Sequence, residues 1–128
     1  MKTLRLLFAS LTLCLFITTQ SEAQIITNNT TCFFDVKANV VPAGTCLFTG
    51  AGPLYNFVAP TAVIPVPLPS PAGSHWVPGY GIGRPGTPIR VVGHPICGLP
   101  TTRFIGFCMG APAFATYDPA TTDLDLHF

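Results

Sequence analysis

Proline and glycine punctuation constrains this chain more than any other feature. Beyond the first 23 residues, only 24–41 runs longer than ten residues without either. An internal proline costs a helix about 3 kcal/mol and a glycine about 1 kcal/mol, so helices of ordinary length have nowhere to form. The one long run is not helical in pattern either. Phe34, Val36, Ala38 and Val40 alternate with Asp35, Lys37 and Asn39, and a period of two marks a half-buried strand. Pro42-Ala43-Gly44 turns the chain. Further strands are expected over 45–49, 54–59, 89–92, 103–109, 114–117 and 122–128, with a turn at Asp118-Pro119 between the last two. Short strands with turn signals every 8 to 12 residues or so predict an all-β domain. We expect a small β-sandwich, immunoglobulin-like or similar.

The segment Ile64-Pro65-Val66-Pro67-Leu68-Pro69-Ser70-Pro71 is extended, because each residue before a proline is pushed out of helical geometry. Alternate amides of a strand point to the same side. Prolines 65, 67, 69 and 71 therefore delete the donors along one edge, while Ile64, Val66 and Leu68 keep theirs on the other. Such a strand pairs on one side only and predicts a blocked sheet edge. The rival reading is a solvated polyproline segment; the interleaved apolar residues favour the edge strand. Residues 69–88, with glycines at 73, 79, 81, 83 and 86, read as a long loop.

The amino-terminal end reads as a targeting segment. Lys2 and Arg5 precede an apolar run from Leu6 to Ile17, and Ser21-Glu22-Ala23 puts small residues at the −3 and −1 positions before Gln24. About 12 apolar residues fall short of the roughly 20 that span a bilayer. The chain thus divides into a signal peptide, 1–23, and a single secreted β domain, 24–128, with no transmembrane segment after cleavage. The domain carries Lys37, Arg84, Arg90 and Arg103 against Asp35, Asp118, Asp123 and Asp125, a formal charge of zero. There is no basic footprint for nucleic acid.

Four cysteines remain after cleavage: Cys32, Cys46, Cys97 and Cys108. An even count in a short exported chain predicts two disulfides. If 33–41 is a strand, about nine residues at 3.3 Å each separate Cys32 from Cys46 by roughly 30 Å, against the 7 Å or so that a bridge allows between Cα atoms. Cys97 and Cys108 face the same difficulty. Both bridges are therefore expected to link the amino-terminal hairpin to the carboxy-terminal one, in either crossed pairing.

Chemical motifs are sparse. Gly81-Ile82-Gly83-Arg84-Pro85-Gly86 matches the dinucleotide string GxGxxG, but Pro85 and Pro88 deny the helix that motif needs, and no cofactor is expected. His75, His94 and His127 show no metal-ligand spacing, so no metal is expected. Ser70 and Ser74 are the serines of the domain and neither lies in a nucleophile elbow. Asp123 and Asp125 alternate with Leu124 and Leu126, which suits a solvated strand face. Asn28-Asn29-Thr30-Thr31 holds two overlapping N-glycosylation sequons. His75, Trp76, Tyr80 and Arg84 fall in the Gly/Pro-rich segment and are the candidate binding residues, with Trp76 as an aromatic platform. Core packing of the sole tryptophan is the competing reading.

The opening Thr27-Asn28-Asn29-Thr30-Thr31-Cys32, followed by Val36, Val40 and Cys46, resembles the start of small secreted four-cysteine β-proteins of Bacteroidota type. The resemblance covers about 25 residues and implies export and a small disulfide-linked β domain. The expected function is non-catalytic: recognition of an extracellular protein or glycan. The alternative is a self-assembling subunit of an extracellular fibre or matrix, since zero net charge and apolar character favour self-association. A small secreted hydrolase comes third. The expected location is outside the cytoplasm: extracellular, cell-surface or periplasmic.

Overall fold

The computed structural model describes residues 24–48, 50, 52–84 and 87–128. The expected signal peptide and its cleavage motif lie outside these residues. Those described form nine strands: β1 (Gln24–Asn28), β2 (Phe34–Pro42), β3 (Leu54–Val58), β4 (Val63–Val66), β5 (His75–Gly83), β6 (Arg90–Gly93), β7 (Thr102–Cys108), β8 (Ala111–Tyr117) and β9 (Leu124–His127). A single 3-10 turn, Pro95–Cys97, precedes β7. One sheet has the order β4-β1-β9-β8-β7 and the other β3-β2-β5-β6. Neighbours are antiparallel except β1 and β9, which run parallel. The protein is a small all-β sandwich. Its first strand pairs with the fourth and ninth, unlike the immunoglobulin arrangement, in which the first pairs with the second.

Period-two alternation builds the core. Phe34, Val36 and Ala38 from β2 and Tyr80 and Ile82 from β5 meet Ala113, Ala115 and Tyr117 from β8 and Leu124 and Leu126 from β9. Removing a side chain such as leucine or valine from water contributes about 1.5–3 kcal/mol, and this apolar layer between the sheets is what holds them face to face. The two buried tyrosines satisfy their hydroxyls on carbonyls across the interior, Tyr117 on Val77 and Tyr80 on Thr122, each at 2.7 Å. Asn28, fully buried at the end of β1, donates to the carbonyls of Cys32 and Val58 and accepts from the amide and hydroxyl of Thr30. That network fixes the turn into β2.

Both disulfides link the amino-terminal hairpin to the carboxy-terminal one, the second nested inside the first. Cys32 joins Cys108 and Cys46 joins Cys97, with Cα atoms 5.8 and 5.4 Å apart. The first ties the entrance of β2 to the end of β7, so it staples one sheet to the other. The second ties the β2–β3 connection to the 3-10 turn. The proline-rich segment supplies the edge strand β4, with Pro65 opposite Ile25 of β1, but the strand ends at Val66, so of the four prolines expected to block the edge Pro67, Pro69 and Pro71 lie beyond it.

Three expectations need correction. Residues 45–48 form no strand. They are held by side chains instead: Asn39 donates to the Leu47 carbonyl and the Trp76 indole to the Thr45 carbonyl. Residues 75–83, expected within a loop, are the joint-longest strand and sit between β2 and β6. Pro78 is tolerated there because β5 bulges: Val41 faces Trp76 while Asn39 faces Gly79, so β5 carries one extra residue. Finally, 24–28, where no strand was expected, forms β1 between β4 and β9.

Candidate functional site

The outer face of the four-stranded sheet carries the larger concavity. Because Tyr80 and Ile82 point into the core, Gly81 and Gly83 present a surface without side chains to the outside, while Gly79 is buried beneath Leu99 and Phe48. Because Phe34, Val36 and Ala38 point inward, Asp35, Lys37 and Asn39 form a polar row beside those glycines. Leu54 and Asn56 of the edge strand β3 complete one bank; Phe48, Ile89 and Val91 form the other. The groove between them encloses about 650 Å³, within the range of small-ligand sites.

The glycines let the flanking segments lie down on the sheet. A Cβ on Gly81 would stand 3.2 Å from Ile89 Cγ2, and one on Gly79 would stand 3.0 Å from Leu99 Cδ1 and 3.4 Å from Phe48 Cε1. Even so, the bordering side chains stay in water: Ile89 is 71% exposed, Leu54 56% and Phe48 50%. Asp35 has a local task. Its carboxylate accepts from the Phe57 amide at 2.9 Å, holding the β3 bulge, where exposed Phe57 has φ of +56°. That is uncommon for a bulky residue.

Of the four residues picked out from the sequence, the fold brings two to the groove and separates the rest. Arg84 borders it, but its guanidinium donates to the Phe107 carbonyl at 2.6 Å and lies 5.6 Å from the Phe34 ring centre. Tyr80 contributes backbone; its ring is fully buried and is no surface platform. Trp76 lies beyond the bulge, half-buried, its indole N–H on Thr45 and its ring 5.6 Å from that of His94. His75 is hydrogen-bonded through Nδ1 to the Ser74 hydroxyl at 2.8 Å. The GxGxxG string likewise divides, Gly81 and Gly83 lying in β5 while Pro85 and Gly86 fall outside the described residues.

The opposite outer face is aromatic. Phe104 and Phe107 of β7 pack edge to face at 5.1 Å, Phe104 meets Phe114 of β8 at 6.0 Å, and Phe114 stacks on His127 of β9. Beside this cluster runs a polar line in which Thr116 contacts both Thr102, at 3.2 Å, and His127 Nε2, at 2.8 Å. A hydroxyl next to an imidazole is half of a nucleophile–base pair. Thr116 lies in β8, which is paired with β7 on one side and β9 on the other.

Comparisons with known protein families, curated proteins and solved structures found no match. The likeness of the first strands to small exported proteins therefore stands on those residues alone. Among the described residues no three His, Cys, Asp or Glu side chains gather as a metal site. The sequons divide. Asn28 is buried with its amide nitrogen engaged, whereas Asn29 is exposed and donates to Asp125 at 2.8 Å.

Phe48, Leu54 and Ile89 escaped the sequence reading. The signal that finds them is Gly79-Tyr80-Gly81-Ile82-Gly83, an alternation with glycine on one face and bulk on the other. It marks a strand whose outer face is bare, and hence a place for apolar neighbours to border.

Proposed function

We propose that this chain is a secreted, non-catalytic recognition module that binds an extended, largely apolar segment of an extracellular protein in the groove over β5. The observation that carries this reading is the bare glycine floor bordered by Phe48, Leu54 and Ile89. These side chains contribute little to folding, because half or more of each remains in water. Contact with a partner would remove that apolar area from water, at about 25 cal/mol per Å². The polar row Asp35, Lys37 and Asn39 gives one bank hydrogen-bonding character and hence orientation. Export is supported by the two disulfides and by the leader-like first 23 residues. Among the described residues no helix is long and apolar enough to cross a membrane.

The test is a peptide-display selection on the folded, oxidised domain, with a glycan array in parallel. Selected apolar peptides should lose at least tenfold in affinity on Ile89→Asp or Leu54→Ser. Phe107→Ser, on the far face, should leave binding unchanged. Peptides that bind every variant equally would sink the groove assignment, and glycan binding in the absence of peptide binding would replace the ligand class.

A second reading, a self-assembling subunit, is favoured by one observation: Phe104, Phe107 and Phe114 form a cluster on an outer face, with Phe107 63% exposed. Light scattering on the eluted native protein decides it. A species of many subunits that Phe107→Ser dissociates would support assembly through this face; a monomer at high concentration would exclude it.

A further inference from the structure

We propose that Gln24 is a modification site: once exposed as the first residue of the exported chain, it closes to pyroglutamate. This rests on the export reading above. The small residues Ser21 and Ala23 place the expected cleavage immediately before Gln24. In ring closure the α-amino nitrogen attacks the side-chain amide carbon Cδ. A new N–Cδ bond forms, the Cδ–Nε2 bond breaks, and Nε2 departs as ammonia with the proton given up by the α-nitrogen. No oxidant, reductant or second substrate takes part.

Two features of the fold point to the ring. Gln24 opens β1 opposite Val66, a fully buried residue of β4, and is itself only 8% exposed. An α-ammonium at this place would bring a charge into a position taken from water, which is costly unless it is paired. The nearby carboxylate of Asp123 already accepts from the Ile25 amide at 2.8 Å. A lactam keeps one N–H and removes the charge. Second, the Gln24 side-chain carbonyl oxygen is buried and has no hydrogen-bond partner. The other buried amide side chains, Asn28 and Asn39, are bonded. A buried amide left unsatisfied calls for an explanation. Ring closure keeps this oxygen as the lactam carbonyl and gives up only Nε2, so moving it forfeits no bond that the oxygen makes.

The experiment uses the full chain with its own leader, expressed in an exporting host. Intact mass and the sequence of the amino-terminal peptide are read directly after purification. The expected product starts at residue 24 and is lighter than the unmodified mature chain by one ammonia. After denaturation, pyroglutamyl aminopeptidase should remove its first residue. Gln24→Asn, whose shorter side chain cannot form the five-membered ring, should be cleaved at the same bond and retain its full mass. A chain starting at Gln24 with a free amine would overturn the proposal and leave export standing. Cleavage at another bond would overturn the proposal and leave export standing; retention of residues 1–23 would overturn both.

Discussion

Arg84 Nη1 donates a 2.6 Å hydrogen bond to the carbonyl oxygen of Phe107, joining the end of β5 in one sheet to the edge strand β7 of the other. The geometry follows from the hairpin. Two residues, Met109 and Gly110, connect β7 to β8, so Cys108 and Ala111 form the hydrogen-bonded pair and Phe107 and Pro112 the next, non-bonded one. The Phe107 carbonyl therefore points outward from the edge, where it would otherwise template another strand. Arg84 closes this edge of the sheet as Pro65 closes the other. Arg84→Ala should lower stability by about 1 kcal/mol, read as a lower urea midpoint at unchanged slope. It should also raise the tendency to aggregate at high concentration.

Met109 stands at the tip of that hairpin with φ of +51° and 89% of its surface exposed; Gly110 follows at +86°. Positive φ at both central residues is the type I′ turn, which favours Asn-Gly. A left-handed conformation costs an ordinary side chain about 1–2 kcal/mol, and Met109 has no packing to offset it. Met109→Asn should raise stability by about 1 kcal/mol, measured by thermal unfolding.

Gly93 and Gly83 should respond oppositely to alanine. A Cβ on Gly93 would sit 2.3 Å from the Pro78 carbonyl oxygen and 2.9 Å from Gly79 Cα, both backbone atoms fixed by the β5 bulge. Gly93→Ala should cost about 3 kcal/mol or more. A Cβ on Gly83 would meet Ile89 Cγ1 at 3.5 Å, an ordinary contact, so Gly83→Ala should stay within about 0.5 kcal/mol of the parent. Denaturant unfolding of the two variants side by side makes the comparison.

Burial pushes the Tyr80 and Tyr117 phenols well above their ordinary value of 10.0, with Tyr117 and Asp123 reinforcing the effect on Tyr80, and Asp118 and Asp123 on Tyr117. The folded state thus holds these protons where the unfolded chain releases them. Their contribution is present in full below about pH 10 and is lost as pH rises above it. Alkaline titration should show both phenols ionising together with unfolding, in one cooperative absorbance step. Ionisation of more than one of the three tyrosines near pH 10 in a chain that remains folded would contradict the burial of Tyr80 and Tyr117.

The strand β2 was legible because its alternation is uninterrupted, and the long-range course of both disulfides because a strand of that length keeps its ends apart. The blocked edge followed from Pro65 having no amide to donate. β5 was misread because Pro78 and three glycines are individually turn formers. Only the bulge opposite Val41, a property of two strands together, makes Pro78 admissible in a central strand. Residues 45–48 alternate plausibly yet find no ladder partner, being tied down by Asn39 and Trp76 instead. Of the site, the position on β5 was legible in part through Arg84, whereas Tyr80 turned inward and Phe48, Leu54 and Ile89 joined from other segments.

By itself the sequence determined the class of this protein: strands rather than helices, long-range bridges and a closed edge. Each is a local consequence of backbone freedom, side-chain period or chain length between cysteines. Tertiary structure alone decided which faces turn outward, that β1 runs parallel to β9, and that a strip of glycine lies between a partly polar bank and an apolar one. Those outcomes depend on which strands become neighbours, and burial between two sheets selects them over the whole chain at once.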